Sequence, residues 1–278
     1  MKMHRKLFKN ILLDVCIVVL VIAIIACGYE VYHIVSGYLD DRNTYSDLRT
    51  SVTATGGGRF HKDIDWDKLH SINSDVVGWI YLEDSNIDYP IVKGCDNDEY
   101  LHTLFDGSYG NAGTVFVDSN TDNPFEQFNT IVYGHHMKDG SMFNNLKLFK
   151  DKGYADKYPC FELYTPENNY YLEVAAFLNC PSDSEIYASN IGESCDSKFA
   201  AGKFNNSESS DVELSDTKSN VAASKSDWKM RRKYINQIEK EAKYLTDISI
   251  SEDDRLVLLS TCAYEYEGAR YVVVCKIK

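Results

Sequence analysis

The chain has 278 residues, 44% of them hydrophobic and 13% aromatic, which is enough to bury a full core and too apolar for a disordered polypeptide. Its formal charge of -13 excludes nucleic acid as a general partner, because phosphate binding needs a basic face. Eight cysteines lie scattered over a chain too long to need stapling, and no Cys-x-x-Cys or His-x-x-x-His spacing occurs, so neither a disulfide framework nor a zinc site is expected.

The charge is uneven. Lys2, Arg5, Lys6 and Lys9 face no acid within the first ten residues, which leaves 25 basic against 42 acidic residues, a net -17, for the remainder. Residues 11–27 are apolar except for Asp14 and, with Leu7 and Phe8, approach the ~20 residues that cross a bilayer. Residues 1–35 therefore read as a basic cytoplasmic tail and one transmembrane anchor, with the acidic bulk outside by the positive-inside rule. A lipid-attachment signal at Cys27, after Ile24-Ile-Ala, and a cleaved signal peptide are the alternatives. Residues 36–60 are polar, end in Thr55-Gly-Gly-Gly58 and read as an extracellular linker that begins as a helical extension.

The body, residues 61–278, starts with a short amphipathic helix at Trp66-Asp-Lys-Leu-His-Ser-Ile72, for which Asp65 is the cap candidate. Three β-rich runs follow at residues 76–82, 87–92 and 113–118, separated by turn residues, and indicate a mainly β domain. Thr130-Ile-Val-Tyr-Gly134 is a further strand, after which His135 and His136 stand at a loop entrance. In an extended chain they face opposite ways, so one of them addresses a common site. Ser141 is a cap candidate for a helix presenting Met142, Leu146 and Phe149 and stopping at Gly153. Residues 160–164 and 170–178 form a hairpin around Pro166-Glu-Asn-Asn169. Residues 194–226 are rich in Ser, Asn, Asp and Lys and read as a flexible loop. A helix capped by Ser226 or Asp227 then runs to about Leu245, with Ile235, Ile238, Ala242 and Leu245 at helical spacing.

The chain ends in Leu256-Val-Leu-Leu-Ser-Thr-Cys262, a polar loop with Gly268, and a β-branched run opened by Arg270, which read together as a hairpin. Opposed side chains in such a pair lie ~5 Å apart. Cys262 thus comes to stand beside a permanent cation, and a neighbouring cation lowers a thiol pKa and favours the nucleophilic thiolate. The bland alternatives are a small buried cysteine at a strand end and an Arg270 neutralised by Glu265 or Glu267. His135 is the best acid/base candidate, because His4 and His33 belong to the anchor region and His61, His70 and His102 lack a comparable setting. Of the other cysteines, Cys16 and Cys27 lie in the apolar run. Cys95, Cys160, Cys180, Cys195 and Cys275 are odd in number, and most are expected to be reduced and buried.

With Tyr133-Gly-His-His-Met-Lys-Asp-Gly-Ser-Met-Phe143 in the middle, Gly113-Thr-Val-Phe-Val-Asp118 before it and Leu259-Ser-Thr-Cys262 near the end, residues 61–278 resemble a class B sortase. The resemblance implies a mainly β (α+β) fold: an eight-stranded β-barrel with an amino-terminal helix and a helix inserted before the cysteine strand. It implies a membrane-anchored cysteine transpeptidase of the Gram-positive cell surface, with His135, Cys262 and Arg270 as catalytic residues and no metal or cofactor. The partners implied are secreted proteins carrying a carboxy-terminal sorting motif, Asn-Pro-x-Thr-Asn or x-Pro-x-Thr-Gly, and an amine of the cell wall or of its lipid-linked precursor. Leu258 departs from the Thr that usually opens the family's Thr-Leu-x-Thr-Cys run. A pilin-polymerising sortase and a non-catalytic, tyrosine-rich binding module are the alternative functions. A peptidoglycan L,D-transpeptidase lacks its Ser-x-Gly-Cys-Arg-type run here, and a papain-like hydrolase places Cys before His.

Overall fold

The computed structural model describes residues 2–188, 191, 225–263 and 267–278. The expected loop at 194–226 lies outside these residues except for its last two, as do Cys195 and Glu265. The chain divides into two compact units, Met1–Ser51 and Val52–Lys278. The first is formed by helix α1, Lys2–Val52, all but its last residue, and the helix's apolar stretch exposes Ile17, Leu20, Ile24, Ile25 and Val31. It is long and apolar enough to cross a membrane, which is compatible with a single-pass anchor.

In the second unit the strands β1, Thr53–Thr55, and β2, Lys62–Ile64, pair antiparallel. Helix α2, Trp66–Ile72, starts where the sequence places it, with Asp65 Oδ1 accepting the Lys68 N–H at 3.0 Å. The barrel strands are β3, Val76–Tyr81; β4, Asp88–Val92; β5, Val115–Val117; β6, Asn129–Tyr133; β7, Cys160–Tyr164; and β8, Asn169–Pro181. A short strand β9, Ala242–Leu245, precedes the last two, β10, Leu256–Cys262, and β11, Ala269–Ile277. They close in the order β3-β4-β5-β6-β10-β11-β8-β7 and back to β3, an eight-stranded barrel, with β9 added to β8. β4 with β5 and β6 with β10 are parallel.

Two helical readings change. Ser141 does not cap an α-helix, because its hydroxyl is bonded to Asp139 at 2.6 Å. The segment is instead a 3-10 helix, Phe143–Lys150, in which the fully buried Phe143, Leu146 and Phe149 recur every third residue, the period that aligns side chains on a 3-10 turn. Gly153, expected as a stop, lies in the first turn of helix α3, Lys152–Lys157. The inserted helix α4, Lys225–Glu241, ends before Ala242 and Leu245, which pair in β9 with Leu178 and Ala176. Beyond the end of β7, β8 offers a main-chain edge, and pairing with it outweighs the local helical period.

Helix α4 decides which barrel face is covered. Tyr234, Ile235 and Ile238 pack on Ile131, Leu256, Leu258, Val272, Val274 and the alternate β8 residues Ala176, Leu178 and Cys180. The intervening Val257, Leu259 and Val273 are fully buried on the opposite, barrel-interior face, as the period of two requires. Leu258 therefore fills the contact with α4, away from the barrel interior, and an apolar residue is what the position needs. Leu258→Thr is expected to cost on the order of 1–3 kcal/mol by burying a hydroxyl without a donor or acceptor for it. Thermal denaturation should register that loss, whereas an unchanged melting temperature would contradict the packing role.

Candidate active site

The face under α4 continues past the helix to one rim of the barrel. Ser260, Cys262, Arg270 and Tyr133 follow Leu258, Val272 and Ile131 at steps of two, so they share that face. Cys262 and Arg270 are cross-strand Cα partners, as the hairpin reading requires. His135 follows the end of β6, and all three side chains line one pocket of about 100 Å³ with Leu101, Phe116, Tyr133, Gly134, Ser260 and Thr261. The structure thus brings the three sequence-predicted residues together.

Glycine is required at two points that place His135. A Cβ at Gly134 would lie 2.7 Å from the Phe143 ring, so glycine lets the loop after β6 close over that buried side chain. Gly113 has φ +54, and a Cβ there would lie 2.4 Å from the carbonyl oxygens of Tyr100 and Leu101. That close approach seats the segment whose Leu101 carbonyl lies 2.8 Å from His135 Nε2. A carbonyl only accepts, so Nε2 carries the proton, and Nδ1 is the atom of the neutral ring left to take one. Burial lowers the pKa of His135; the Leu101 hydrogen bond opposes the shift, and the nearby His102, whose ring is stacked at 5.9 Å, adds to it.

Cys262 is partly exposed at the end of β10. Cys180, the Cα partner of Arg270 on its other side, is 2% exposed, and burial pushes its thiol up to about 12, so it stays protonated. Cys275 is buried and raised for the same reason, Cys160 is half-buried and raised, and exposed Cys95 is raised by its bond to Glu99. These four and Cys262 are all free thiols, and Cys262 is the one that lines the pocket with Arg270.

Arg270 Nη1 donates to the Ala269 carbonyl at 3.2 Å, and among the described residues it has no carboxylate at ion-pair distance. Glu267 is exposed. The Ala263 N–H is committed to the Ala269 carbonyl at 2.8 Å, which leaves the guanidinium as the strong donor facing the pocket. The sequence did not single out a tyrosine wall behind the pocket, of which Tyr133 is a lining residue. Tyr133 donates to buried Asp118 at 3.2 Å and stacks on Tyr187, whose hydroxyl meets Ser260 Oγ at 2.9 Å. Burial beside Asp118 raises Tyr133 and burial raises Tyr187, so both remain neutral donors. Their positions, immediately before Gly134 and in the turn after β8, become informative only once the strands are paired.

No family model matches the chain. It is 30% identical over 211 residues to sortase B of Listeria monocytogenes, covering 75% of this chain and 72% of that protein. It is 28% identical over 267 residues to sortase B of Staphylococcus aureus, covering 94% of each. The solved sortase B of B. anthracis, in complex with AAEK1, superposes with a TM-score of 0.63 at 26% identity over 87% of this chain and 98% of that one.

Proposed function

Because the chain belongs to the class B sortases and is a cysteine transpeptidase of that family, we propose that Cys262, His135 and Arg270 carry its reaction. The observation that supports this is the shared pocket: a nucleophile at a strand end, its cross-strand guanidinium and an imidazole from the loop after β6. The substrate in this reading is a secreted protein with a carboxy-terminal Asn-Pro-x-Thr-Asn or x-Pro-x-Thr-Gly motif. The Cys262 thiolate attacks the threonine carbonyl, the tetrahedral oxygen takes hydrogen bonds from Arg270, and His135 Nδ1 gives its proton to the leaving amine. A thioester remains. An amine of the cell wall or its lipid-linked precursor then attacks, His135 Nδ1 takes its proton, and an amide forms as the Cys262 thiolate leaves.

In the same reading residues 1–35 hold the protein in the membrane with Lys2, Arg5, Lys6 and Lys9 on the cytoplasmic side. Residues 36–60 connect the anchor to a catalytic domain at 61–278, which faces the substrates as they emerge.

The test is to incubate the full chain in detergent micelles with a pool of peptides carrying both motif types and to record intact mass. An adduct of the peptide acylated through its threonine supports the reading; a folded enzyme that neither forms an adduct nor cleaves any peptide counts against it. A second expected result concerns pH. In the second step His135 Nδ1 must be unprotonated to take the proton of the amine, so kcat/KM for the amine falls as pH drops through the His135 pKa. Since burial lowers His135 below the ordinary 6.5, the acid limb of kcat/KM should lie below pH 6.5. A pH profile with its acid limb above that value would contradict the burial of His135.

A further inference from the structure

The parallel pairing of β6 and β10 ends just before Cys262. Ser260 is the partner of Tyr133, and its carbonyl takes the Gly134 N–H at 3.1 Å. In a parallel ladder the next carbonyl on that edge belongs to the residue two further on, Cys262, and its donor would be the main-chain N–H of residue 136. The chain has turned out of the sheet by that point. The imidazole of His136 takes over, with Nδ1 2.7 Å from the Cys262 carbonyl oxygen. Because the carbonyl accepts, Nδ1 carries the proton, the opposite assignment from His135.

This bond acts on one peptide plane. The Cys262 carbonyl and the Ala263 N–H belong to the same planar unit, and the N–H is held from the other side by Ala269 at 2.8 Å. The plane that follows the nucleophile is thus gripped at its oxygen from the loop after β6 and at its nitrogen from β11. Rotation about the Cys262 Cα–C bond is fixed.

The loop that carries His136 is itself tightly held. His136 is bridged to Met142, the Phe143 N–H donates to the His135 carbonyl at 2.9 Å, and Asn144 Nδ2 donates to the Met137 carbonyl at 2.7 Å. Met142 is fully buried at φ +54, with its N–H on the Tyr89 hydroxyl at 3.0 Å. A bulky residue adopts that conformation only where its surroundings impose it. The His136 ring also leans on Tyr271, centroids 6.1 Å apart.

We infer that His136 is a positioning residue for the transpeptidation: its Nδ1–H holds the Cys262 carbonyl and so aims the thiol at the scissile carbonyl. The inference rests on Cys262 being the nucleophile. Displacing a reacting group by about 1 Å costs on the order of 100-fold in rate. The experiment uses the full chain in micelles and the pool peptide that acylates it fastest, with His136→Leu, His136→Asn, His136→Gln and Cys262→Ala alongside. His136→Leu should lower kcat by roughly 10- to 100-fold with little change in KM, while iodoacetamide, which makes no demand on orientation, alkylates Cys262 at nearly the normal rate. His136→Asn, whose Nδ2 reaches about where Nδ1 stood, should recover most of kcat, and His136→Gln, with its donor one bond further out, should not. A merely structural role would not separate Asn from Gln. Should His136→Leu fail to fold, that contrast carries the test alone. Normal kcat in His136→Leu, or equal kcat in the Asn and Gln variants, with Cys262→Ala inert, overturns the role of His136 alone. Turnover by Cys262→Ala overturns the nucleophile assignment and this inference with it.

Discussion

Cys262→Ala should form no acyl adduct with any peptide and lose transpeptidation by a factor on the order of 10⁴ to 10⁶, as removal of a nucleophile does elsewhere. The size of the loss follows from the surroundings of the other thiols. Cys180 is the only other cysteine among the described residues that is paired in register with Arg270, and burial holds it protonated. Its strand is separated from that of Cys262 by β11, which puts the two thiols about 10 Å apart at the usual strand spacing. It therefore offers no substitute nucleophile. The fold itself should survive, because the Cys262 side chain is partly exposed and the β10–β11 register is held by main-chain pairing. Intact mass and a thermal melt of the same sample check both statements. An adduct in the folded variant would move the chemistry to another residue.

Arg270→Ala should lower kcat/KM by about 10²- to 10³-fold, equivalent to about 3–4 kcal/mol of lost transition-state stabilisation. The guanidinium stands beside the nucleophile on the paired strand, has no carboxylate partner among the described residues, and the neighbouring Ala263 N–H is already used within the hairpin. Arg270→Lys should restore little. An ammonium brings one compact charge where the guanidinium presents a planar fork that reaches an oxygen and an adjoining peptide group together. If Arg270 only closed a strand-end ion pair, the Lys variant would retain most of the activity, and kinetics of the two variants side by side decide between the roles.

The elements on which this chemistry depends differ in how much of them was written locally. Asp65 at a cap, the β-rich runs at β3 to β6 and the Cys262–Arg270 hairpin were legible because each rests on the local sequence or on contacts between residues close along the chain. The 3-10 helix at Phe143–Lys150 and the end of α4 were misread because distant partners overrode the local period: the core beneath Phe143, Leu146 and Phe149, and the edge of β8 that takes Ala242 to Leu245. The tyrosine wall was invisible for the same reason, since Tyr133 and Tyr187 meet only when β6 and the turn after β8 reach one rim.

The class of this protein is legible along the chain: an apolar segment behind a basic end, a mainly β body, and a His, Cys and Arg in family order. The role of each histidine depends on long-range contacts made in the fold. His135 and His136 are chemically identical neighbours, and nothing local distinguishes them beyond their opposite facing. Carbonyl groups 34 and 126 residues away do so, Leu101 taking Nε2 of the first and Cys262 taking Nδ1 of the second. A hydrogen bond fixes which ring nitrogen keeps its proton, and the partner that makes it comes from whichever distant segment the folded chain sets beside the ring.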